Sequence, residues 1–136
     1  MKILALVAGL LLSSMTAQAY TTLSCVAAYK NPVVNTHFHV PVTLKINNKQ
    51  IKKIDKLNKT TAVLNYDSND RSGSRMIFVS DTQDGFYLAV DNRNWTPSAI
   101  QLGEQMYVYE GRIRDGRAER EVSTLDCKTV PTLSRF

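Results

Sequence analysis

Cysteine, histidine and tryptophan are scarce in this chain of 136 residues, at two, two and one. The cysteines form no CxxC pair and have no neighbouring histidine, so an activated thiol lacks its usual setting. No GxSxG, HExxH or SxxK segment and no Gly-rich phosphate loop occurs, which removes the common local signatures of hydrolases and nucleotide enzymes. Nowhere do 18 apolar residues follow one another, so no segment qualifies as a spanning helix. Internal repeats, low-complexity stretches and a linker that would split the chain are also missing. At 43% hydrophobic and 21% charged, the composition is that of a globular protein and excludes disorder or collagen. A formal charge of +5 favours acidic partners weakly and selects none.

The start of the chain carries the clearest signal. Lys2, the apolar run Ile3–Leu12 and the small-x-small triplet Ala17-Gln18-Ala19 follow one another in the order of a secretory leader. Residues 1–19 are therefore expected to be a cleaved signal peptide, and residues 20–136 a single antiparallel β domain. The exported protein would reside in the periplasm or outside the cell, with no transmembrane segment in the mature chain. In an oxidising compartment Cys25 and Cys127 are expected to form one disulfide, placing the first and last elements side by side.

Along the mature chain, hydrophobicity alternates with period two. Leu23, Cys25 and Ala27 share a face. The even positions from Val34 through Ile46 form a long half-buried strand, bent or edge-exposed at Pro41. Asn47-Asn48 suits a tight turn. Residues 49–58 admit two readings. Ile51, Ile54 and Leu57 recur at helical spacing, yet ten residues make a marginal helix, and a hairpin into Ile51–Ile54 is preferred. Further alternation at Ala62–Tyr66, Met76–Ser80, Phe86–Val90 and Val122–Val130 completes the pattern, and Asp84-Gly85 and Asp115-Gly116 mark turns. Met106–Tyr109 is apolar on both faces, as a central strand would be. About eight strands with frequent turn signals and little helical pattern predict a small antiparallel β-barrel, up-and-down or sandwich-like. A disulfide between first and last strands favours closure, which removes sheet edges. An outer-membrane barrel is disfavoured because only the Val34–Ile46 run approaches the required length and charges interrupt most others.

The candidate functional residues are few. His37 and His39, at i and i+2 on a strand, make half a metal site without a third ligand, so no metal or other cofactor is expected. Asp67, Asp70, Asp81 and Asp84 cluster at turns, where aspartate caps its own backbone. Six lysines, Lys45, Lys49, Lys52, Lys53, Lys56 and Lys59, are opposed locally by Asp55 alone. They would attract an anionic envelope polymer, a lipid headgroup or an acidic protein, or simply keep an edge from aggregating. Nucleic acid is not expected, because no aromatics interleave the lysines as a stacking platform would need. Trp95 suits either a contact anchor or a plug for the barrel end.

The piece Ser72-Gly73-Ser74-Arg75-Met76 resembles the Ser-Gly-bearing loop of secreted bacterial C-type lysozyme inhibitors, which are small disulfide-tied β-barrels. Met76 stands where that family has an aromatic, and its Lys-Gly motif has no counterpart here. The likeness covers five residues and the cysteine placement. It implies an alternative function and does not assign the chain to the family. The leading expectation is an exported, non-enzymatic binding protein of the envelope or extracellular space. Its candidate contacts are Lys49, Lys52, Lys53, Lys56, Lys59, Ser72, Arg75 and Trp95. The alternative is an inhibitor of a cell-wall hydrolase or protease that inserts Ser72–Arg75 or Asn92–Trp95; a hydrolase with an unmarked site is a third.

Overall fold

The computed structural model describes residues 19–31, 36–57, 59–81 and 85–131. The expected leader through residue 18, Val34, Asp84 and Phe136 lie outside them. Eight strands, β1 (Thr21–Asn31), β2 (Thr36–Ile46), β3 (Gln50–Asp55), β4 (Thr60–Asn69), β5 (Arg75–Ser80), β6 (Phe86–Asp91), β7 (Gln105–Arg114) and β8 (Arg117–Val130), follow one another around a closed antiparallel barrel. A short 3-10 turn, Pro97–Ala99, lies between β6 and β7. No helix of the described residues is long and apolar enough to cross a membrane.

Closure is covalent as well as hydrogen-bonded. Cys25 of β1 sits directly opposite Cys127 of β8, and the two are joined across a sequence separation of 102 residues with their Cα atoms 4.0 Å apart. Period-two alternation sends Leu23, Leu44, Ile46, Ile51, Leu64, Phe78, Leu88, Val108 and Leu125 inward, all fully buried. One hydrophobic core fills the interior.

Residues 49–57 resolve in favour of the hairpin, and Asn58 lies outside the described residues. β3 pairs with β2 and β4 on its two sides, and that pairing overrides the helical spacing of its apolar residues. Ile51 points into the core, while Leu57, the third member of the periodic set, lies 70% exposed in the following turn. Pro41 lies opposite Val26 of β1, but β3 begins pairing only at Thr43. Its other side is thus an edge, where its missing N–H costs no ladder bond. At Asp115-Gly116 both residues take positive φ, 53° and 74°, as a two-residue turn between the paired Arg114 and Arg117 requires.

The two barrel ends differ. At one, Trp95 enters the interior as a plug with 0% exposure. Its indole N–H donates to the Asp91 carbonyl (3.0 Å), its backbone N–H to Asn48 Oδ1 (2.7 Å), and its carbonyl accepts from the Thr21 hydroxyl (2.9 Å). Towards the other end the inward positions turn polar at Lys53, Glu110 and Ser123. Lys53 stands opposite Leu44 and Ala62, which places it on the inner face. Its ammonium pairs with Glu110 Oε1 at 2.5 Å and lies 4.9 Å from the centre of the Phe86 ring. Ser123 donates to the other Glu110 oxygen at 3.0 Å.

Candidate functional site

Strand register sorts the lysine cluster that looks continuous in sequence. Outward residues of β8, β1, β2, β3 and β4 line up in rows across the sheet. One row reads Val130, Thr22, Lys45, Lys52, Val63, and the next Lys128, Ser24, Thr43, Ile54, Thr61. Lys45 and Lys52 are thus direct cross-strand neighbours, with Cβ atoms about 5 Å apart. Like charges so placed repel. No carboxylate occupies either row; Asp126 falls in the following one, opposite Val26. Lys52 also lies over the Tyr20 ring, 5.1 Å from its centre.

Beside this pair runs a concavity of about 590 Å³ lined by Thr22, Ser24, Thr43, Lys45, Ile54, Lys56, Val130 and Pro131. Lys45 stands towards one end and Lys56, in the turn after β3, towards the other. Lys56 follows Lys52 by four residues, just beyond the end of β3 at Asp55. Hydroxyl groups and ammonium donors therefore share one face, an arrangement suited to anionic oxygen atoms.

The other expected contact residues are dispersed. Lys49 is exposed in the β2–β3 turn, which Asn47 caps by accepting from the Lys49 and Gln50 amides at 2.8 Å. Lys59 is exposed with φ 54° in the β3–β4 turn. Lys53 departs from the expected surface patch, because it is the inward-facing half of the buried ion pair. Trp95 serves as the plug, and its buried ring offers no surface for contact.

Ser72 and Arg75 belong to a separate feature, the β4–β5 loop. Asp70 organises it: its carboxylate accepts from the Ser72 hydroxyl (3.0 Å) and the Arg75 backbone N–H (3.2 Å), while its carbonyl accepts from the Gly73 amide (3.0 Å). Desolvation raises the Asp70 pKa. The hydrogen bonds from Arg75, Ser72, Ser74 and Gly73 outweigh it and hold the carboxyl below its ordinary value. Asn92 clamps the loop by donating to the Gly73 carbonyl at 2.8 Å. Gly73 takes φ 73°, which a glycine adopts without strain. The Arg75 guanidinium stacks on Tyr109, 3.9 Å from the ring centre. Asp70 therefore does the turn chemistry expected of it, and Ser72–Ser74 form an exposed, pre-shaped tip.

Sequence reasoning missed Thr22, Ser24, Thr43 and Lys128 as neighbours of the lysines. The β1–β2 register sets Thr22 beside Lys45 and Ser24 beside Thr43, whereas Lys128, on the last strand, joins them only through the β1–β8 closure. The Cys25–Cys127 pairing was the one available signal for that juxtaposition. His39 is exposed on β2, and among the described residues no three His, Cys, Asp or Glu side chains gather as a metal would require. No protein-family model matches the chain, and neither a curated protein nor a solved structure does.

Proposed function

We propose that the chain is an exported, non-enzymatic binding protein of the cell envelope or extracellular space, holding an anionic polymer or headgroup on the β8–β1–β2–β3 face. The observation that carries this function is the direct Lys45–Lys52 pairing with no carboxylate in its row or the next. A protein keeps a repulsive cross-strand pair at a cost in stability, and an anionic partner would relieve it. The disulfide fits an oxidising compartment, which supports export. Retention on polyphosphate resin and on phosphatidylglycerol vesicles tests the proposal and separates a soluble polymer from a lipid source. The native protein binds at low salt and elutes as salt shortens the Debye length below ~10 Å. Combined Lys45→Glu, Lys52→Glu and Lys56→Glu substitutions abolish retention; equal retention of that variant refutes the proposal.

The Asp70-braced tip favours a second function, inhibition of a cell-wall hydrolase or protease by loop insertion. A loop held in one shape loses little entropy on docking. Titrating the protein against a C-type lysozyme and a serine protease tests it. Slowed turnover that Ser72→Arg restores supports insertion, and undiminished turnover of both enzymes excludes it.

A further inference from the structure

β5 and β6 are apolar on both faces. Met76, Phe78, Leu88 and Val90 fill the interior, while Ile77, Val79, Tyr87 and Ala89 alternate with them on the outside. An outward face of that composition needs a cover. The β7–β8 hairpin supplies part of it. Register shifts on either side of Gly111 bend the hairpin, and Tyr87 lies flat across that glycine, where any Cβ would come within 2.2 Å of the ring. The Tyr87 hydroxyl donates to the Glu119 carbonyl at 2.9 Å. Tyr87 and Ala89 are buried as a result, but Ile77 and Val79 are only half covered. Between the hairpin and the β4–β5 loop there remains a groove of about 620 Å³, within the range of small-ligand sites.

The groove is built rather than incidental. Its floor is Ile77, Val79 and Ala89; Ile113 and Ala118 of the hairpin line it as well. At the loop side stand Asp67, Asp70, Arg71 and Arg75. The Asp70 carboxylate is occupied by its own loop, and Asp67 accepts from the neighbouring Ser68 hydroxyl at 2.9 Å. Arg71 is exposed and forms no ion pair among the described residues. An apolar floor ending at a guanidinium complements a ligand with a hydrocarbon body and one anionic head.

We infer that this groove is a second binding site, distinct from the lysine face, for a single-chain anionic amphiphile of the fatty-acid class. Its tail lies on Ile77, Val79 and Ala89, and its head meets Arg71. Displacement of anilinonaphthalene sulfonate from the full protein by dodecanoate tests this, with dodecanol as the uncharged control. Dodecanoate displaces the dye from the native protein and dodecanol does so far less. Ala118→Trp, an exposed position whose new ring fills the groove, weakens dodecanoate by about tenfold or more. Arg71→Glu removes the preference for dodecanoate over dodecanol. Lys45→Glu with Lys52→Glu changes nothing here, so failure of the lysine face and failure of the groove are read separately. The inference is overturned if dodecanoate fails to bind, if it binds Ala118→Trp as tightly as the native protein, or if the Lys45 and Lys52 substitutions abolish its binding.

Discussion

The two ends of the barrel solve the same problem with opposite chemistry. At one end Trp95 closes the core with a single large apolar side chain whose indole N–H bonds to Asp91, while its backbone N–H and carbonyl bond to Asn48 and Thr21. Towards the other, Lys53 and Glu110 carry charge into the interior and satisfy each other and Ser123. An aromatic plug gains from the area it buries. A buried ion pair offsets desolvation only while both partners are present. The two ends should therefore respond differently to the loss of one side chain and to the loss of two.

The largest effects come from single substitutions. Trp95→Ala should cost about 3–5 kcal/mol by leaving a cavity. Glu110→Ala should cost about 3–5 kcal/mol by stranding the Lys53 ammonium. Denaturant melts of both variants check the sizes, and a double variant separates the causes. Lys53→Met with Glu110→Met should recover most of the loss, because an apolar pair of similar volume replaces an ion pair with little penalty. No second-site change in the Lys53–Glu110 cluster should rescue Trp95→Ala. If the Met–Met variant is as unstable as Glu110→Ala, the ionic description of that end is wrong.

A smaller effect is expected at the seam between the ends. Replacing Cys25 and Cys127 together by alanine should cost about 2–5 kcal/mol, since the bridge closes a long loop of the unfolded chain, its ends 102 residues apart in sequence. Reduction with a thiol should lower the melting temperature of the native protein alone. A native melting curve unchanged by reductant would contradict a bridge that holds the barrel shut.

The smallest effect belongs to the Asp70 loop on the plugged side. Its carboxyl is held below the ordinary aspartate value, so the order it confers is complete above the unfolded-state pKa. That order is lost as pH falls through the lowered folded-state value. The Gly73 amide resonance should titrate with a midpoint below that of a free aspartate, and Asp70→Asn should erase the titration. A midpoint at or above the free value would remove the hydrogen-bond account of the loop.

Those differences also show what can be read before a fold is known. Alternation at Met76–Ser80 and Phe86–Val90, the Asp115-Gly116 turn and the cysteine pair are local or chemically constrained signals, and each led to the right element. Lys53 did not, because a lysine among lysines looks solvated. Only its register against Leu44 and Ala62 turns it inward, and its partner is 57 residues away. The candidate anion face was half legible. Its lysines stand out in sequence, but the β1 hydroxyls join them through the β1–β2 register and Lys128 only through barrel closure. Ile77 and Val79 were visible as a second apolar face of β5, although the bent hairpin that partly covers that side was not.

The most direct measurement of the proposed function is an amide chemical-shift map of the native protein titrated with polyphosphate at low salt. The account predicts saturable shifts at Thr22, Ser24, Thr43, Lys45 and Lys52, disappearing as salt is raised. Shifts confined to the Asp70–Arg75 loop, or none at all, would contradict it.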